Sequence, residues 1–436
     1  MIITYKHLFI TLLVYVVTIP VFEQYVGPIG NILVNGIAII VLFVALMIIH
    51  NQIYNKLIED AKIRIFLYLI IFYFLIIALS SMSGIFFSSV NPIFRDLFEF
   101  HKPVLYLFLV IFTYYIMTQS KNYLLMQKYL NIVFALIIFI SLFQLMGNRE
   151  FTLLYTANNI FDSKRLTIPF GNPYDYAFIM IFFCFYYFFK YSSGNIKYII
   201  PLIISVYLLF ETGSRSVFLS LAITTIFFIP IILFFSKFSR KSKYYFLTQL
   251  FIFTLLIYFF VDIDKFYQDY NFLLEQFVQF YMSQEIGDSA EARLEQFTYV
   301  YKRALTDPMI LLFGNGPAKS VIDFSQSGTV LYMEHVESAI TYLLYRYGLF
   351  GIICFTFIYL SALLVVIQNA FIIPANKGEY SLNLAIICWL ISVPISSLGG
   401  MYMEQPKVSY LFYMIISYSF AINYTFRNIK LKSLKL

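Results

Sequence analysis

Residues 345–368 read YRYGLFGIICFTFIYLSALLVVIQ, and Arg346 is the only charged side chain among them. As a helix that rises about 1.5 Å per residue, this run is long enough to cross the ~30 Å hydrocarbon core of a bilayer. Similar runs fill most of the 436 residues, of which 61% are hydrophobic, 21% are aromatic and only 12% are charged. The composition excludes a soluble fold and predicts an all-α polytopic membrane protein, with residues 1–436 forming a single transmembrane domain.

The apolar runs predict about twelve transmembrane helices. Their approximate limits are 6–23, 30–49, 65–82, 102–118, 129–146, 174–190, 197–211, 215–235, 244–261, 345–368, 382–399 and 407–425. The first run lacks a small-residue cleavage site, so we interpret it as a retained helix and not as a signal peptide.

The basic residues predict the orientation of these helices. Of 30 basic residues, 17 fall in segments that the positive-inside rule assigns to the cytoplasm together with both termini, and three of these are arginines. Of the remaining 13 (30 − 17), seven are arginines. Because the planar guanidinium suits bidentate contact with phosphate oxygens, we expect the outer face to bind a phosphorylated ligand. Nucleic acid is not an expected partner, since the cations form short clusters between apolar runs.

The longest polar stretch forms a predicted external loop, 262–345, between the ninth and tenth runs. It is large enough for several helices that lie over the outer surface. Arg293 and Arg303 fall on one such predicted helix, which Ser289 caps and Asp307-Pro308 ends. The alternative is a solvated helix face that carries no ligand.

A second predicted helix follows the Gly-Asn-Gly-Pro turn at residues 314–317. At about 100° per residue, His335, Ser338, Tyr342 and Arg346 would lie on one face of it, as a polar stripe. Together with Glu337, Ser338 and Tyr342 are predicted to line the site. The alternative places His335 at the start of a helix in a solvated loop.

Two further motifs precede the loop. The short connection between the seventh and eighth runs contains Arg215, which must lie near the edge of the hydrocarbon. An arginine at a helix centre costs roughly 2.5 to 3.5 kcal/mol on insertion scales, and less near the ends, so Arg215 is a functional candidate. The alternative is an anchor paired with Glu211. Upstream, Arg165 comes shortly before a Gly171-Asn-Pro173 turn.

Four pieces of sequence, in this order, resemble the O-antigen polymerase and O-antigen ligase group of bacterial membrane glycosyltransferases. They are Arg165 with Gly171-Asn-Pro173, Thr212-Gly-Ser-Arg-Ser216, Arg293 through Phe313-Gly-Asn-Gly316, and His335 with Tyr347-Gly-Leu-Phe-Gly351. The surroundings of His335 depart from the family pattern, in which an asparagine often follows the histidine.

The resemblance implies an enzyme of the inner membrane whose active site faces the periplasm and which uses no metal and no cofactor. Its donor and acceptor would be undecaprenyl-diphosphate-linked oligosaccharides, and its other partners membrane lipids, a chain-length regulator and a flippase. The aromatic and isoleucine content and the modest outer loops favour an O-antigen polymerase, and the alternative is a ligase that transfers the glycan to lipid A-core.

Such a reaction needs cations for the departing diphosphate and a base for the attacking hydroxyl. We expect His335 to be the base, because an imidazole is available as a base at neutral pH. We expect Arg215 and Arg293 to bind the diphosphate, with Arg303, Arg165 and Arg346 as further candidates.

Other interpretations stay open at this stage. His101 is also on the predicted outer side, where an interfacial role is favoured. Asp262 and Asp264 resemble a metal-binding pair, but no other ligands converge on them by spacing. A transporter for lipid-linked oligosaccharides would also need about twelve helices, although its charges should be distributed through them. A purely structural membrane subunit leaves the arginines and the histidine unexplained.

Overall fold

The structure is a computed structural model. It describes residues 5–20, 29–87, 98–119, 122–156, 165–237, 243, 244, 246, 248, 297–305, 307–317, 321–324, 329–332, 338–405 and 407–433. The fold is that of an all-α polytopic membrane protein. Within the described part of the chain, seven helices are long and apolar enough to cross a membrane, by length and composition.

The helices follow one another with short connections wherever the chain is described. They are α1 (Tyr5–Thr18), α2 (Ile29–Glu59), α3 (Ala61–Phe87), α4 (His101–Thr118), α5 (Leu125–Leu145), α6 (Arg149–Leu153), α7 (Pro173–Ser192), α8 (Ile199–Glu211), α9 (Arg215–Ile223), α10 (Ile229–Phe235), α11 (Pro308–Phe313), α12 (Ala339–Ile372), α13 (Gly378–Ser396) and α14 (Val408–Ser433). A π-helical turn, Thr224–Phe228, joins α9 to α10. Residues 297–305 are also helical.

Helices occur at eleven of the twelve predicted runs, and the other run, 244–261, lies outside the described residues except for isolated positions. The seven helices of sufficient length and hydropathy fall at the second to fifth, eighth, tenth and eleventh runs. The number of membrane spans therefore stays a prediction.

The predicted outer loop contains a short β-hairpin as well as helix. Strands β1 (Val321–Phe324) and β2 (Thr329–Tyr332) pair antiparallel, with Val321 opposite Tyr332. These two are the strands found in the described part of the chain, where the other regular elements are helical.

Helix α7 forms the centre of the molecule and packs against α8, α9 and α13. Nearly all of its side chains are buried, which agrees with an aromatic-rich sequence that has no polar face. The ring of Trp389 in α13 packs at a tilted angle against Phe178 and Phe182 of α7, and its Nε1 donates a hydrogen bond to the Phe178 carbonyl over 3.0 Å. Helix α14 packs on α4 and α12 at the side of this core.

Candidate functional site

The segment 165–171, which we call the Arg165 loop, is held by hydrogen bonds at nearly every peptide. Gln144 of α5 donates to the Arg165 carbonyl over 2.8 Å and accepts from the backbone N–H groups of Thr167 and Ile168. Thr156 donates to the Gly171 carbonyl over 2.9 Å. A loop whose backbone groups are satisfied in this way is preorganised, so its side chains have fixed positions.

The fixed side chain that matters most is Arg165. Its Nε donates to the Thr212 carbonyl over 2.6 Å, and its guanidinium lies 4.8 Å from the ring centre of Tyr174. The Leu166 N–H donates to the Glu211 carbonyl over 2.9 Å. The structure therefore brings together two motifs that the sequence keeps about 47 residues apart. The buried Nη2 of Arg165 has no hydrogen-bond partner among the described residues.

The turn that Arg165 touches leads directly into α9. Ser214 is the N-cap residue of α9, yet its side chain makes no capping hydrogen bond. It is fully buried, and its Oγ has no partner within the described structure. Because the first N–H groups of a helix point outward with a partial positive charge, this end of α9 favours an anion. Arg215 is the first residue of α9, but its side chain lies outside the described residues, as does its pairing with Glu211.

The third and fourth motifs also meet. The Asn315 N–H donates to the Tyr345 carbonyl over 2.8 Å, and the Gly316 N–H donates to the Arg346 carbonyl over 2.9 Å. These carbonyls are available because α12 is kinked at Gly348, whose φ is 61° and ψ is −160°. The Gly-Asn-Gly turn therefore replaces hydrogen bonds that the kink removes from α12. Arg303 donates from Nε to Asn315 Oδ1 over 3.4 Å, which places it at this junction.

The predicted polar stripe is wrong at its start. Ser338 has an extended backbone (φ −98°, ψ 132°), and α12 begins only at Ala339. A single helix does not run from His335 through Arg346, because an extended residue interrupts the helical period. His335, Glu337 and Arg293 lie outside the described residues.

Tyr342 and Arg346, one turn apart in α12, do lie side by side. Arg346 is 4% exposed, and its Nη1 donates to the Tyr342 hydroxyl over 2.9 Å and lies 3.8 Å from Glu99 Oε1. The Tyr342 hydroxyl in turn donates to Glu404 Oε2 over 2.7 Å. Arg346 is thus neutralised by Glu99 in the interior of the protein.

Two carboxylates and two cations form this group, which we call the Glu404 cluster. Its members are Glu99, Lys102, Arg346, Glu404 and the tyrosines at 73 and 342. Lys102 Nζ lies 2.5 Å from Glu99 and 3.7 Å from Glu404. Burial alone raises the pKa of Glu99, but the Lys102 and Arg346 cations outweigh it and lower that pKa to about 2.

Sequence reasoning missed Glu404 and also Lys407, which lie together between α13 and α14. Lys407 is 3% exposed and donates from Nζ to the Pro169 carbonyl of the Arg165 loop over 2.7 Å. In the sequence, the position of Lys407 beside a proline gives no signal of the contacts that Glu404 and Lys407 make.

The remaining candidates are His101 and the pair Asp262 and Asp264. His101 Nε2 lies 2.7 Å from Asn35 Nδ2, and Asn35 is itself held by the Tyr410 hydroxyl over 3.0 Å. Asp262 and Asp264 lie outside the described residues, and the described residues contain no group of three His, Cys, Asp or Glu side chains that could hold a metal ion.

The arrangement at Arg165 can bind an anion, since it combines a guanidinium, a buried hydroxyl and a helix N-terminus. No protein-family model matches this chain, and no curated protein matches it.

Proposed function

We propose that the chain is an oligosaccharide repeat-unit polymerase of the bacterial inner membrane. It transfers a glycan from undecaprenyl diphosphate to a sugar hydroxyl of another lipid-linked repeat unit, at the outer face of the membrane. The product is an O-antigen or a similar surface polysaccharide.

The contact of Arg165 with the 212–214 turn carries the proposal. It gathers a guanidinium that no described carboxylate neutralises, a buried Ser214 hydroxyl and the N-terminus of α9. Each of these groups favours negative charge, and the leaving group of the proposed reaction is a diphosphate. In this proposal Arg215, the first residue of α9, and Arg293 of the predicted outer loop also bind the diphosphate.

In the reaction, the bond between the sugar C1 and the diphosphate oxygen breaks, and the diphosphate leaves with the electron pair. A bond forms from the acceptor hydroxyl oxygen to C1, and the hydroxyl proton passes to His335. The arginines stabilise the charge that develops on the leaving group, and this stabilisation does not require a metal ion. Ser338, Glu337 and Tyr342 lie on the acceptor side in this proposal.

The proposed topology has twelve spans, cytoplasmic termini and the 262–345 loop outside. Positions of charge favour an enzyme over a transporter of lipid-linked oligosaccharides. Asp175 and Glu379 are among the first residues of α7 and α13, Lys190 is close to the end of α7, and Arg346 is the eighth residue of α12, next to its kink. The buried charges of these helices thus lie toward their ends and do not form a path through the bilayer.

The test incubates purified protein with a radiolabelled lipid-linked repeat unit in the presence of EDTA, which removes divalent metal ions. We expect longer lipid-linked products to form. We expect His335→Ala to reduce the single-turnover rate by about 10²- to 10⁴-fold, the usual contribution of a positioned base, and His101→Ala to stay within a few-fold of wild type. A lipid A-core acceptor in a parallel reaction tests the ligase alternative. Translocation of the label without a longer product would favour the transporter and refute the proposal.

A further inference from the structure

Most of the described residues in the connection 401–407, between α13 and α14, are buried, although two of them are charged. Glu404 and Lys407 are each 3% exposed, and Met401, Tyr402 and Met403 are buried with them. Connections normally run over the surface, where water satisfies their polar groups. A buried connection with two ionisable side chains therefore has to satisfy them through the protein.

The two charges make their contacts in different directions. Glu404 accepts hydrogen bonds from the hydroxyls of Tyr73 in α3 and Tyr342 in α12, and it lies 3.7 Å from Lys102 of α4. Lys407 donates to the Pro169 carbonyl and lies 4.8 Å from the ring centre of Tyr155. Among the described contacts, Glu404 and Lys407 do not pair with each other, although they are three residues apart.

The backbone conformation of Lys407 is unusual and indicates that its position is held by its surroundings. Its φ is 60°, and among the described residues it is the one non-glycine residue with a positive φ. A non-glycine residue in this region of φ is strained, so the surrounding contacts must hold it there. In this conformation, Lys407 Nζ reaches the Pro169 carbonyl of the Arg165 loop.

We infer that the 401–407 connection is part of the candidate site, with Lys407 as a positioning residue for the Arg165 loop and Glu404 as a positioning residue for Tyr342 and Arg346. One short segment thereby fixes two pairs of motifs relative to α14. The first pair is the Arg165 loop with the 212–214 turn, and the second is the Gly-Asn-Gly turn with the start of α12. The inference rests on the proposed function only where it assigns the Arg165 loop to a diphosphate.

The test uses the full chain in detergent, with inorganic pyrophosphate as the probe and hydrogen exchange as a second readout. We expect Lys407→Met to weaken pyrophosphate binding about fivefold to tenfold, the worth of one lost hydrogen bond, and to speed amide exchange at residues 165–171. Lys407→Arg keeps a charged donor and should recover most of both losses. The matched control is Lys190→Met, since Lys190 is also a buried lysine but lies at the other end of α7.

Glu404→Gln is isosteric and tests the other half independently. It should speed exchange at residues 342–348 and leave residues 165–171 unchanged. Lys407→Met with exchange like that of Lys190→Met, or Lys407→Arg as impaired as Lys407→Met, would overturn the role of Lys407. An unchanged exchange pattern in Glu404→Gln would overturn the role of Glu404. If the wild type does not bind pyrophosphate, the diphosphate assignment fails, and the exchange results still decide whether the connection positions these groups.

Discussion

Gly348→Ala should detach the Gly-Asn-Gly turn from α12. Gly348 has a φ of 61° and a ψ of −160°, a region that is essentially restricted to glycine and costs other residues on the order of 1 to 3 kcal/mol. An added Cβ would lie 2.5 Å from the Leu312 carbonyl carbon and oxygen and 2.6 Å from the Phe313 nitrogen. These are backbone atoms, so they cannot rotate away, and the segment around Gly314 has to move.

The movement breaks the two hydrogen bonds from Asn315 and Gly316 to α12, each worth about 0.5 to 1.5 kcal/mol net. Together with the backbone strain, the loss of both hydrogen bonds destabilises the junction by roughly 2 to 6 kcal/mol. Even the lower limit corresponds to an increase of about 30-fold in amide exchange at residues 308–316, if exchange follows local opening.

The assay is hydrogen exchange together with thermal unfolding in detergent. The matched control is Gly36→Ala, because Gly36 lies within α2 and an added Cβ there meets nothing within 4 Å. Alanine in an ordinary helix position should stabilise by about 0.5 to 1 kcal/mol. If Gly348→Ala unfolds at the same temperature as Gly36→Ala and exchanges no faster at residues 308–316, the proposed junction is wrong.

Three further predictions follow from charge and topology. Glu99 has a pKa of about 2, below its ordinary value of 4.5, so its stabilising contribution is complete above about pH 4.5 and is lost as the pH falls toward 2. The difference in unfolding temperature between wild type and Glu99→Gln should therefore shrink between pH 5 and pH 3, and a constant difference would contradict the ion pairs. In intact cells, a cysteine introduced at Ser327 should react with an impermeant thiol reagent, and a cysteine introduced at Ser242 should not. The background should be low because the three native cysteines are buried. The reverse labelling pattern would invert the topology. Arg165→Ala should weaken pyrophosphate binding more than Arg346→Ala does, Arg165→Lys should recover little of the loss because the fork geometry matters, and equal losses for the two alanine variants would refute the ordering.

The helices were largely predictable from the apolar runs, because hydrophobic length decides them before any tertiary contact forms. Their ends were less so. The run 345–368 becomes α12, Ala339–Ile372, and the helical period that was predicted back to His335 stops at Ser338. Periodicity counts positions on an assumed helix and contains no information on whether the backbone is helical there.

The Glu404 cluster could not be predicted, because its members are far apart in the sequence. Glu404 is separated from Tyr342 by 62 residues and from Tyr73 by 331. In the sequence, a carboxylate in a short polar connection is typical of a solvated residue. Only the packing of α3, α4 and α12 around the 401–407 connection turns it into a buried partner.

The electrostatics of the described arginines also change their order as phosphate ligands. The Arg346 guanidinium already lies near Glu99 and the Tyr342 hydroxyl, so an anion would have to displace a half-buried carboxylate from it. The Arg165 guanidinium is held by the Thr212 carbonyl, a neutral acceptor that fixes its direction without cancelling its charge. A cation held by a carbonyl keeps its net charge and so its attraction for an anionic ligand, whereas the negative charge of a carboxylate cancels most of that attraction. Arg165 therefore moves ahead of Arg346 among the candidates, a ranking that depends on contact partners and not on residue type.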